Sequence, residues 1–127
     1  MTKGELAGRI ALVTGGSGGI GRAIIDHLCR AGAQAWSLDV KPPEDDDAQW
    51  IATDMRDDES VAAAVAQIDG EASRADILIH AAGVSSDHVV WKLPLEEWDR
   101  VHAVNLRGAF LLLRHGIPVL RKSGRRP

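Results

Sequence analysis

Two kinds of apolar segment alternate along the chain. Short, nearly unbroken runs cover residues 9–14 (RIALVT), 35–40 (AWSLDV), 49–53 (QWIAT) and 77–82 (ILIHAA). Each is rich in β-branched or aromatic residues, and glycine, proline or aspartate follows all four, as suits strands buried on both faces. Between them the apolar positions recur every three or four residues. Ile20, Ile24, Leu28 and Ala31 share one helical face, with Gly32 as its stop, and Val61, Val65 and Ile68 share another. Asp57 and Asp58 stand where a helix start wants an N-cap and negative charge, and Gly70 lies near that helix's end. From Pro94 to about Leu120 the pattern is helical, with Gly108, Gly116 and Pro118 expected to bend or interrupt it.

The order strand, helix, strand, strand, helix, strand, helix predicts an α/β fold, a Rossmann-like doubly wound parallel sheet of four strands in order 3-2-1-4. One link is short. About nine residues join the second and third strands, where a parallel crossover usually takes a dozen or more, so residues 41–48 are expected to form a tight acidic loop or a single helical turn.

The 127 residues suffice for one domain, and 45% hydrophobic with 26% charged residues is ordinary for a globular protein. A net charge of −3 gives no footprint for nucleic acid or an anionic membrane surface, and neither is expected as a partner. Charge is uneven: residues 39–59 hold nine acids against two bases, and residues 107–126 hold six bases and no acid. Solvated surfaces account for both runs. Cys29 is the only cysteine, which rules out an internal disulfide and fits a reducing, cytoplasmic setting. Residues 1–8 are polar and no apolar run approaches bilayer length. His27, His88, His102 and His115 show no metal-ligand spacing, so no metal is expected; the four tryptophans lie in different elements and read as packing residues.

Candidate chemistry gathers after the first strand. Thr14-Gly15-Gly16-Ser17-Gly18-Gly19-Ile20-Gly21 matches G-x-G-x-x-G through Gly16, Gly18 and Gly21, and T-G-x-x-x-G-x-G through Gly15, Gly19 and Gly21. Glycines let a backbone approach a pyrophosphate, and the helix that follows aims its free N–H groups and positive dipole end at it. The strand before and the helix after make nucleotide binding the favoured reading over a plain glycine turn. Arg22-Ala23 follows Gly21 where a P-loop needs Lys-Ser or Lys-Thr, which argues against ATP or GTP hydrolysis; the glycines alone do not separate a dinucleotide from S-adenosylmethionine. Asp39 ends the second strand eighteen residues after Gly21. A carboxylate there accepts hydrogen bonds from ribose hydroxyls and repels a 2′-phosphate, favouring NAD over NADP, with Lys41 the one nearby cation that opposes this.

With these motifs the chain resembles the short-chain dehydrogenase/reductase family over nearly its whole length, from Leu6 to about Leu120. LAGRIALVTGGSGGIGRAI carries the family's glycine motif, Asp39 its NAD-selecting acid, and Asp54-Met55 its acid-plus-apolar pair at adenine. DILIHAAG (76–83) falls where the family has Asn-Asn-Ala-Gly, and WDRVHAVNLRGAF (98–110) places Asn105 on its active-site asparagine. The resemblance implies NAD-dependent interconversion of a secondary alcohol and a carbonyl. It also implies a cofactor site of Thr14, Gly15, Ser17, Gly18, Gly19, Ile20, Gly21, Asp39, Asp54, Met55, Ala81, Ala82 and Gly83, and homo-oligomers through the helix over 105–120. Asn105 would be catalytic, anchoring a water. Two departures stand out. His80-Ala81 replaces the two asparagines, with His80 expected to be a satisfied strand histidine and not a base. The chain also contains no tyrosine, the family's proton donor. The expectation is an NAD(P)-binding domain over 1–127, incomplete at its C-terminal end and lacking the Ser and Tyr-x-x-x-Lys residues; the competing reading is a non-catalytic dinucleotide-binding module.

Overall fold

The computed structural model describes residues 4–44 and 48–124. The parallel strands β1 (Ile10–Thr14), β2 (Gln34–Asp39), β3 (Gln49–Ala52) and β4 (Ile77–His80) form one sheet in the order β3-β2-β1-β4. The helices are α1 (Gly19–Arg30), α2 (Asp58–Ala72), α3 (Leu95–His102) and α4 (Gly108–Lys122). Fold class and strand order are those the hydrophobic pattern predicts.

Alternate strand residues go to opposite faces. Leu12, Trp36, Leu38 and Leu78 pack with Val61, Val65 and Ile68 of α2 and Leu111, Leu112 and Val119 of α4. Val13, Ala35 and Ile79 pack with Ile24, Ile25 and Leu28 of α1. The sheet is therefore covered on both faces, which is why its central strands read as continuous apolar runs and not as alternating ones.

Helix boundaries follow local chemistry. Asp57 caps α2, its carboxylate accepting from the Glu59 N–H at 3.3 Å. That helix runs two residues past Gly70 and ends where Ser73 turns left-handed (φ 61°). Gly32 (φ 97°) follows α1 as its stop. The link from β2 to β3 is parallel, as expected despite its shortness; residues 45–47 of its acidic run lie outside the described residues.

The C-terminal helices differ from the sequence pattern in three ways. A 3-10 turn, Val90–Lys92, precedes α3. Gly116 and Pro118 do not interrupt α4, which is continuous from Gly108 to Lys122. The ladder is disturbed earlier instead, by a π-helical segment over Ala103–Arg107 that contains Asn105. Gly116 serves close packing: a Cβ there would come within 2.7 Å of the Leu78 side chain on β4. No helix among the described residues is long and apolar enough to cross a membrane.

Candidate functional site

The chain leaves β1 toward β2 and β3 on one side, then returns to place β4 on the other. The carboxyl ends of β1 and β4 thus flank the point where strand order reverses, the usual seat of a ligand in such sheets. A cleft of about 600 Å³ opens there. Its walls are Gly15, Gly18, Gly19, Ile20 and Gly21 of the glycine loop, Asp39 at the end of β2, Asp54 and Met55 after β3, and Ala81, Ala82 and Gly83 after β4. Eleven of the thirteen residues that the sequence offers for a cofactor meet in one cavity.

The other two face elsewhere. Thr14 is fully buried and its hydroxyl bonds inward, to His80 Nδ1 at 2.7 Å and from the Ala82 N–H at 3.2 Å. Ser17 braces the loop: its N–H donates to Asp39 Oδ2 at 3.1 Å and its hydroxyl meets that of Ser37 at 3.0 Å.

The glycines divide into two kinds. Gly15 has φ 65°, and a Cβ on it would lie 2.6 Å from Ala82 Cα. A Cβ on Gly21 would lie 2.0 Å from the Gly15 carbonyl oxygen. Both are glycine because the loop packs on itself and on the residues that follow β4. Gly19 differs, since a Cβ there would meet no protein atom within 4 Å. It sits at the start of α1, whose N-cap Gly18 supplies no side-chain hydrogen bond and whose first turn carries no acid. Open space beside uncapped helix amides is what an anionic group requires, so the cradle fits a pyrophosphate.

Asp39 lines the same cleft, beside the glycine loop. Besides Ser17, the backbone N–H of Lys41 donates to it, to Oδ1 at 3.1 Å. Each carboxylate oxygen still has accepting capacity for a hydroxyl. Asp54 is engaged by its neighbour: Arg56 Nε and Nη2 donate to its two oxygens, each at 3.0 Å. These hydrogen bonds hold its carboxyl below the usual carboxylate range.

Asn105, in the π segment, does not itself line the cleft but is bonded to Val84, which does. Its carboxamide pairs with both backbone groups of Val84, accepting from the N–H and donating to the carbonyl, each at 2.9 Å. It thereby fixes the segment that follows β4. Arg100, which the sequence reading passed over, also lines the cleft and holds this segment through the Ser85 carbonyl at 3.2 Å. It pairs with Glu97 at 2.7 Å, and that bond lowers the pKa of Glu97. A single arginine on an amphipathic helix gives no signal that could mark it in the sequence. His80 is satisfied as expected, with Nδ1 on Thr14 and Nε2 donating to the Asn105 carbonyl at 3.2 Å. Among the described residues no group of three or more His, Cys, Asp or Glu is placed to hold a metal.

Known proteins are similar to this chain in sequence and fold. The chain is 33% identical over 129 residues to the 2-dehydro-3-deoxy-L-rhamnonate dehydrogenase (NAD(+)) of a Sphingomonas species, an alignment covering 95% of this chain and 52% of that protein. It is 31% identical to the D-beta-hydroxybutyrate dehydrogenase of Rhizobium meliloti, over 91% of this chain and 50% of that one. Among solved structures, ligand-free aldohexose dehydrogenase of Thermoplasma acidophilum superposes with a TM-score of 0.89 at 28% identity, covering 94% of this chain and 47% of its own. A short chain dehydrogenase of Leptospira borgpetersenii with bound NAD+ gives 0.87 at 28% identity, over 94% and 49%. The chain spans about half the length of these relatives. The family model for short chain dehydrogenases matches residues 9–125, so the glycine loop, the acid that ends β2 and the asparagine-bearing helical segment all fall inside the match, and the chain belongs to that family.

Proposed function

We propose that this chain forms the NAD-binding part of an oxidoreductase that interconverts a secondary alcohol and a carbonyl. The carrying observation is the unfilled space at Gly19, beside the uncapped end of α1, with Asp39 lining the same cleft. The loop would receive the pyrophosphate, Asp39 the adenosine ribose, Asp54 and Met55 the adenine, and Ala81 to Gly83 the backbone beside the nicotinamide ribose. Bound there, the nicotinamide supplies or accepts the hydride. The names of the Sphingomonas and Leptospira relatives support NAD as the cofactor. The single cysteine supports a cytoplasmic setting.

Asp39 carries the preference for NAD over NADP, because its carboxylate would repel a 2′-phosphate on the adenosine ribose. Calorimetric titration should give at least tenfold tighter binding of NAD+ than NADP+, a difference of about 1.4 kcal/mol. Asp39→Ala should narrow that gap; equal affinities in the unmodified chain would remove the role given to Asp39.

Turnover is a separate matter. The sequence holds no tyrosine, the residue the family resemblance would use to give or take the hydroxyl proton, and the Asn105 carboxamide is not a general acid or base at ordinary pH. The 127-residue chain is expected to bind cofactor without oxidising alcohols. Steady NADH production from a panel of secondary alcohols, abolished by Asn105→Ala, would show otherwise.

The surface of the 105–120 region supports self-association. Leu106, Phe110, Leu113 and Ile117 are all exposed and recur every three or four residues, making one apolar stripe. A second copy packing stripe to stripe would bury it about a two-fold axis. Sedimentation should show a dimer or larger species, and Phe110→Glu with Leu113→Glu should return it to monomer; a monodisperse monomer at all concentrations counts against this surface.

A further inference from the structure

His80 lies outside the cleft wall, yet its ring connects three parts of the site. Nδ1 meets the Thr14 hydroxyl at 2.7 Å and Nε2 meets the Asn105 carbonyl at 3.2 Å. A carbonyl only accepts, so Nε2 must carry hydrogen. In the neutral ring Nδ1 is then an acceptor, and the Thr14 hydroxyl donates to it. The same hydroxyl oxygen accepts the Ala82 N–H at 3.2 Å. One ordered series of hydrogen bonds results, running from the Ala82 N–H to the Thr14 hydroxyl, from that hydroxyl to His80 Nδ1, and from His80 Nε2 to the Asn105 carbonyl.

One end of the series lies on the cleft at Ala82, and the other bears on it through Val84. Ala82 is the residue against which the loop's Gly15 packs, so closely that a Cβ on Gly15 would lie 2.6 Å from Ala82 Cα. Asn105 clamps Val84 through its carboxamide while its own carbonyl is held by His80. The bond to that carbonyl falls within the π segment, where the regular helical ladder is already disturbed and a side chain can enter it. His80 is also seated sterically: a Cβ on Gly108 would come within 3.2 Å of its ring.

We infer that His80, fixed as the neutral tautomer with hydrogen on Nε2, is a positioning residue that ties the glycine cradle on β1 to the Asn105 segment and so sets the width of the cofactor cleft. This rests on the proposed cofactor reading. Without the imidazole, the Thr14 hydroxyl loses its acceptor in a fully buried place and turns to find another, which releases the Ala82 N–H and loosens the backbone against Gly15.

The test begins on the chain without cofactor. Long-range 1H–15N spectra should show His80 with protonated Nε2 and bare Nδ1 near pH 8. A ring protonated at Nδ1, alone or at both nitrogens, overturns the inference. Amide exchange should find Ala82 protected in the unmodified chain and in His80→Asn, whose carboxamide oxygen can stand near the Nδ1 position, and faster by roughly tenfold or more in His80→Leu. NAD+ affinity should fall in the same order, retained best in His80→Asn and reduced roughly tenfold or more in His80→Leu. Unchanged Ala82 exchange and NAD+ affinity in a folded His80→Leu chain would show that His80 only fills space. Should the unmodified chain fail to bind NAD+ at all, the cofactor reading falls, and the tautomer and the Ala82 exchange alone decide the hydrogen-bond series.

Discussion

Asp76→Ala should cost this chain roughly 2–4 kcal/mol, a large share of the ~5–15 kcal/mol that holds a domain together. Asp76 precedes β4, and its side chain is only 1% exposed. It receives the Ile10 N–H at the start of β1 at 2.9 Å, and two bonds from Arg74 at 2.9 and 2.6 Å. Arg9 adds a looser contact at 3.7 Å. Removing the carboxylate leaves a buried backbone N–H without its partner. It also loses charge-assisted bonds, which are about twice as strong as neutral ones. The arginines can turn to water, being about one-third exposed, so their share of the loss is the smaller one. Asp76→Asn should lose less, because its amide oxygen still accepts from Ile10. Urea denaturation with a common slope for the variants decides the matter. A loss under about 0.5 kcal/mol for Asp76→Ala, the range of an ordinary surface change, would mean that this link between β1 and β4 contributes nothing.

The parts of the fold legible in the sequence are those where one physical demand dominates. A strand buried on both faces has to be apolar throughout, so residues 10–14 and 35–38 announce themselves. A helix on such a sheet needs an apolar stripe, and Val61, Val65 and Ile68 supply it. The strand order follows because each crossover helix has one face to cover. The illegible parts are those where two demands compete at one residue. Gly116 reads as a helix breaker because its backbone is permissive, but its small size is what lets α4 approach Leu78. Pro118 forfeits one hydrogen bond, yet the buried Leu112 and Val119 on either side of it hold the helix through. The π segment at Asn105 leaves no trace in a period of three or four, since it adds a single residue to one turn.

The same competition explains the site. The glycine loop and Asp39 are legible because few roles need five glycines in one loop and an acid at the end of the next strand. Thr14 reads as a cofactor residue from its position in the motif, but at the end of a buried strand its hydroxyl has to find partners inside the protein, and His80 and Ala82 supply them. His80 itself was readable as a satisfied histidine because it occupies a strand. Which partners satisfy it depended on the π segment, and so lay beyond any pattern in the chain.

Gly21→Ala and Gly19→Ala should have opposite consequences for the fold and the same consequence for NAD+. At Gly21 the added methyl would stand 2.0 Å from the Gly15 carbonyl oxygen, 2.7 Å from its carbon and 2.9 Å from Gly16 Cα. All three are backbone atoms at the turn that forms the cradle, so no side chain can swing aside. The loop must open, at a cost of about 3 kcal/mol, the upper end of what overpacking usually takes. Both melting temperature and NAD+ binding should fall. At Gly19 the methyl meets nothing of the protein within 4 Å. Alanine is also the better helix former by up to ~1 kcal/mol, and Gly19 begins α1, so the variant should melt no lower than the unmodified chain. The methyl nonetheless occupies the space beside the free N–H groups of that helix end, where the pyrophosphate would lie. NAD+ affinity should therefore drop tenfold or more, about 1.4 kcal/mol of binding, with the fold intact. Paired melting curves and calorimetric titrations separate the two effects. Full NAD+ affinity in Gly19→Ala would show that no phosphate sits at the start of α1, and an unchanged melt in Gly21→Ala would show that the turn is not as tight as its geometry requires.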